Sequence, residues 1–123
     1  MLEVGLVYTS TLVVDERNTA LAMGSGDMEV LATPVMMALM EHAAMLAVAK
    51  QLPEGSTTVG GYIESSHLHP SKVGSVVTAT ARLEKIDGRK LYFHVKACQG
   101  EIVIGEGSHI RFVVDIQRFL SKL

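Results

Sequence analysis

Residues 32–50, ATPVMMALMEHAAMLAVAK, set a glutamate, Glu41, beside His42 in a run that is otherwise almost wholly apolar. An ionisable group there costs free energy unless it is paired or put to use. Its bland role is a buried partner for a backbone amide or an arginine. Its chemical role follows from desolvation, which raises the basicity of a carboxylate and suits it to act as a base or a nucleophile. Eight positions earlier stands Thr33, first of all an N-cap for the helix that this run predicts. His67 is either a hydrogen-bonded strand histidine or a group that moves a proton. Gly60 and Gly61 permit a bulge or a close approach of another chain segment, and a glycine amide can also hold an oxyanion. Met36, Met37, Met40 and Met45 read as core filler that could equally line an adaptable pocket.

Other chemistries fit the residues less well. His67 and His69 lie two apart, on one face of a predicted strand, and could form half of a zinc site to which His94 or His109 adds a ligand. No HExxH or paired CxxC supports this, and no metal is expected. Ser65, Ser66 and Ser108 lack a G-x-S-x-G elbow. The stretch GSGD at residues 24–27 is too short for a phosphate-binding loop.

The elements that must position these groups are legible from periodicity. Thr33 as cap, Pro34 at the first helical position and Pro53 beyond the far end predict one long helix. It is apolar nearly all the way round, so it must be covered on more than one side. Alternating segments at 57–69, 76–86, 91–99 and 101–114 predict four strands in an antiparallel meander, with DGRK and QGE as hairpin turns and HPSKVG as a looser loop. Residues 6–14 predict an earlier strand, 19–23 a short one, and Asp115 caps a final helix. Strand, long helix, then four strands make an α+β domain in which one curved antiparallel sheet wraps one buried helix. Its open edges favour pairing with a second copy.

Composition narrows the partners. A chain of 123 residues is one domain able to bury its core without disulfides, and the lone Cys98 cannot form one internally. With 11 basic and 13 acidic side chains, net charge −2, neither nucleic acid nor an anionic membrane is an expected partner. The longest apolar stretch, 35–49, is interrupted by Glu41 and His42 and is too short for a membrane span; a cytoplasmic protein is expected.

The order of elements and the string ATPVMMALMEHA resemble the hot-dog fold thioesterases, most closely their fluoroacetyl-CoA thioesterase-like branch with its A-T-G-x-M-x-x-L-M-E pattern. GGYIESSHLHPSKVGSVVTATARL is similar to the strand pair that follows in that family, with a glycine at Gly60 and a histidine at His67. The last hairpins, EKIDGRKLYFHVKA and IGEGSHIRFVV, resemble the family's as well. The chain departs from it at Pro34, where a glycine is usual, and in a shorter segment before the helix that contains GSGD. The resemblance implies a hot-dog fold and hydrolysis of a small or medium acyl-CoA, coenzyme A being part of the substrate and no cofactor being needed. It implies Thr33, Glu41 and His67 as the catalytic set, with an amide near Gly60 holding the substrate. The alternative is a hot-dog module that binds acyl-CoA without turning it over. The hydratases of this fold carry an Asp and a His five positions apart, a spacing that no aspartate has here. Lys72, Arg82, Arg89, Lys90 and Arg111 are all available for the CoA phosphates.

Eight residues of helix place Thr33 and Glu41 roughly 12 Å apart along the axis. If both serve one reaction centre, a homodimer must bring the helix start of one subunit toward Glu41 of the other. A dimer of dimers through the outer sheet face is a further option.

Overall fold

The structure, a computed structural model, describes residues 2–123. The elements run β1 (Val7–Val13), a 3-10 turn (Glu16–Asn18), α1 (Ala20–Met23), α2 (Thr33–Ala49), β2 (Ser56–Ser65), β3 (Val76–Asp87), β4 (Lys90–Gln99), β5 (Ile102–Asp115) and α3 (Ile116–Ser121). The five strands form one antiparallel sheet in the order β1-β3-β4-β5-β2, curled around α2. This is the expected α+β hot-dog architecture. Among the described residues no helix is long and apolar enough to cross a membrane.

Alternation decides which face of the sheet meets the helix. Val77, Ala79, Ala81 and Leu83 of β3, with Leu91, Phe93, Val95 and Ala97 of β4, are buried on the inner face. Met36, Met40, Ala43, Ala44, Ala47 and Val48 make the buried stripe of α2, at the spacing a helix needs to present one face. Alanines on both sides let helix and sheet approach closely. The opposite side of α2 is not covered: Ala38, His42 and Ala49 are exposed. A helix apolar all round is therefore packed on one side by its own chain, not on several.

Three local expectations are corrected. Only β3, β4 and β5 form a meander, because β2 crosses to the far edge and pairs with β5 while β1 pairs with β3. Ten residues separate β2 from β3, too long a link for a hairpin, and placing β2 beside β5 extends the sheet around both flanks of α2. Residues 19–23 are not a strand: the Thr19 hydroxyl accepts from the Ala22 amide and Gly24, at φ 78°, ends the turn, so local caps produce α1. β2 also stops at Ser65 rather than at residue 69. The chain then stays against β5 by single bonds, Ser66 N donating to Glu106 O (3.1 Å) and Leu68 N to Ile104 O (2.8 Å). Gly105 allows this approach, since a methyl group there would overlap the Ser66 carbonyl. His67 is thereby fixed between two backbone anchors.

Candidate active site

Thr33 is the first residue of α2 and not its cap. Ala32 is the N-cap and offers no side-chain bond, and Pro34 follows as the second helical residue. Starting the helix one position early frees the Thr33 hydroxyl, which lies 2.7 Å from His67 Nδ1 across 34 residues of sequence. Burial holds the His67 imidazole below its ordinary pKa, and its Nε2 is enclosed without a hydrogen-bond partner. The pair stands at a cleft of about 240 Å³ whose walls include Leu31, Leu68 and, from the GSGD segment, Ser25.

Glu41 is half-buried two turns further along α2 and lies against Gly60. A methyl group on Gly60 would sit 2.9 Å from Glu41 Oε2, 3.4 Å from His109 Cε1 and 3.5 Å from Arg111 Nη1, so three polar side chains converge where a glycine leaves room. Gly61 is the extra residue of a β-bulge between Gly60 and Tyr62, and a side chain there would strike the Phe112 ring.

His109 and Arg111 come from the inner face of β5, and both are buried. His109 Nδ1 donates to the Tyr62 carbonyl (2.7 Å), leaving Nε2 to accept from Arg111 Nη1 (3.2 Å). Arg111 also donates through Nε to Thr58 Oγ1 (2.8 Å) and through Nη2 to Thr58 O (2.9 Å). Burial lowers the pKa of both groups, opposed at Arg111 by the nearby Glu41 charge. The carboxylate that looked stranded in an apolar helix thus has a guanidinium within Coulombic reach.

Sequence reasoning placed Arg111 among the cations for the CoA phosphates; its burial removes it from that set. It missed Thr58 and the site role of His109. The signal was present in GSHIRFVV, where alternation gives His109 and Arg111 one face and Ile110 and Phe112 the other. An apolar-inward assumption chooses the wrong face, because the inner surface is polar where it meets the site. The zinc option loses its geometry: His94 pairs with Glu106 (2.6 Å) and His109 with Tyr62 and Arg111. Among the described residues, no three His, Cys, Asp or Glu groups could hold a metal ion. His42, on the exposed side of α2, lies 2.8 Å through Nδ1 from the Ser10 hydroxyl.

Two histidines held below their ordinary pKa make stability depend on pH. The unfolded chain takes up protons near pH 6.5, before the folded one does, so their contribution is complete above that value and is lost as pH falls through the lowered folded values. Urea unfolding from pH 7.5 to pH 5 is expected to show falling stability, with a shallower fall in His67→Asn; an unchanged slope in that variant would contradict the assignment for His67.

A model of the fluoroacetyl-CoA-specific thioesterase family matches residues 14–117. The fluoroacetyl-CoA thioesterase of Streptantibioticus cattleyicolor is 38% identical over 95 residues, 77% of this chain and 68% of that one. A crystal structure of a point variant of the fluoroacetyl-CoA thioesterase with acetyl-CoA superposes with a TM-score of 0.92 at 32% identity, covering 98% of this chain and 96% of the other. A hypothetical protein of Thermus thermophilus from the thioesterase superfamily gives 0.90 at 27% identity over 98% of this chain and 89% of its own. The run of residues from Thr33 through Glu41 to His67 lies within the 14–117 match, and the chain belongs to the fluoroacetyl-CoA-specific thioesterase family, as an acyl-CoA thioester hydrolase of the hot-dog fold.

Proposed function

We propose that this protein hydrolyses short acyl-CoA thioesters in a homodimer whose two subunits share each reaction centre. The Thr33–His67 hydrogen bond at the mouth of a cleft of about 240 Å³ carries the reading, because it places a hydroxyl, an imidazole and the start of α2 around a space suited to a small acyl group. The relatives support the substrate class: one is named for fluoroacetyl-CoA and another was solved with acetyl-CoA.

In this reading Glu41 either activates a water or attacks the thioester carbonyl itself. The new C–O bond puts negative charge on the carbonyl oxygen, and amides at the start of α2 or beside Gly60 stabilise it without reorganisation. The C–S bond then breaks and CoA leaves as a thiolate that His67 or water protonates; attack by water leaves the carboxylic acid directly, whereas attack by Glu41 leaves an acyl–glutamyl anhydride that a water then hydrolyses to the acid and free Glu41. Arg111, buried on β5 within Coulombic reach of Glu41, places a positive charge beside the carboxylate that either role employs.

The dimer follows from reach. About 12 Å of helix axis lies between Thr33 and Glu41, which makes a two-fold partner the simple way to join the two half-sites. The outer edge of β2 and the uncovered side of α2 are the surfaces available to it. Thiol release from a series of acetyl- to octanoyl-CoA, run alongside light scattering, tests both parts. The expected result is turnover that favours the short chains and disappears on dilution below the dimer dissociation constant. A fully active monomer would overturn the shared site, and no thiol release from any member would overturn the activity.

A further inference from the structure

The cleft is lined by two imidazoles, and the reaction needs only one. His69 stands on the same wall as His67, its ring half-buried, and its Nδ1 is enclosed with no hydrogen-bond partner. A buried polar atom left unpaired is costly, and folded proteins keep few of them without a reason. The rest of the lining sharpens the contrast. Val30, Leu31 and Leu68 are apolar, so beyond the Thr33–His67 pair, already given to the reaction, a polar atom of a bound group would find its partners at His69 and the Ser25 hydroxyl.

The support of His69 is that of a placed residue. Pro70 restricts the backbone before it to extended conformations. Ser71 is buried; its hydroxyl donates to Gln99 Oε1 (2.7 Å) and its carbonyl accepts from the Leu31 amide (2.8 Å). Val30 bridges Lys72 in the same stretch. The loop that carries His69 is therefore tied both to the sheet and to the residues that lead into α2, which fixes the backbone from which the ring projects.

We propose that His69 determines specificity by hydrogen-bonding a hydroxyl group on the acyl chain, so that the preferred substrates are short hydroxyacyl-CoA thioesters rather than plain alkanoyl ones. A hydroxyl both donates and accepts, and matches an imidazole nitrogen in either tautomer. An alkyl group of the same size fills the same space but leaves the nitrogen unpaired, and sites built to bond a hydroxyl reject analogues that lack it. This inference rests on the acyl-CoA thioesterase reading and specifies its substrate.

The test compares isosteric pairs, glycolyl-CoA with propionyl-CoA and lactoyl-CoA with isobutyryl-CoA, by their ratio of kcat/KM in wild type, His69→Leu and His69→Gln. Wild type is expected to favour the hydroxylated member by about tenfold or more, as one buried hydrogen bond implies. His69→Leu is expected to abolish or reverse the ratio, and His69→Gln, which keeps a hydrogen-bonding group, to retain part of it. A wild-type ratio of one or below, a ratio that survives in His69→Leu, or an equal loss on both members of each pair would overturn the proposal. Turnover of neither series would be a failure of the thioesterase reading instead. Calorimetric binding of the same pairs to Glu41→Gln, whose thioesters are not consumed, would then decide the role of His69, equal affinities overturning it.

Discussion

Glu41→Gln is expected to lower kcat for acyl-CoA hydrolysis by about 10²- to 10⁴-fold, the usual worth of a positioned base, while the variant stays folded. Glutamine keeps the shape of the side chain beside Gly60 but can neither take a proton from water nor attack a carbonyl. The rival explanation is that Glu41 is only the counter-charge of Arg111. That role predicts the opposite pattern, with kcat near wild type and reduced stability, because a guanidinium would lose its neutralising partner. Parallel measurement of kcat and of urea unfolding separates the two, and unchanged kcat would remove Glu41 from the mechanism. A single turnover in ¹⁸O-labelled water then distinguishes its two chemical roles: label in the released acid follows from activated water, whereas label in the Glu41 carboxylate follows from direct attack and hydrolysis at the glutamyl carbonyl.

Arg111→Leu is expected to destabilise the fold by about 2–4 kcal/mol and to depress activity as well. The substitution breaks two hydrogen bonds to Thr58 and one to His109, and leaves those acceptors unsatisfied in a buried setting. It also takes the positive charge from beside Glu41. Arg111→Lys restores the charge without the planar fork that reaches Thr58 and His109 together, so it should recover only part of the loss. Urea midpoints and kcat/KM for the two variants check this; wild-type values for Arg111→Leu in both would show that the network is dispensable.

The parts of this site differ in how far sequence alone could reach them. Glu41 stands out because a charge in an apolar helix violates the local pattern, and such violations concentrate where function overrides packing. His109 and Arg111 violate the same pattern less visibly. Their neighbours Ile110 and Phe112 offer the alternation an equally regular apolar face, and that face turns outward. Thr33 was read as a cap because its residue type and the following proline satisfy the rule for a helix start, which does not distinguish the cap from the residue after it. Moving the start by one residue turns a structural hydroxyl into a free one that meets His67.

What the sequence determined by itself was set by short-range physics. The long apolar run and the two prolines that bound it specified α2, the two-residue period specified β1 through β5, and Asp115 specified the cap of α3. Tertiary structure alone decided the strand order, the coverage of α2 on one side only, and the meetings of Thr33 with His67 across 34 residues and of Arg111 with Thr58 across 53. Local propensity carries no information about which distant strand will lie at an edge. That choice belongs to the packing of the whole sheet around the helix, and it is what brings the residues of the site together.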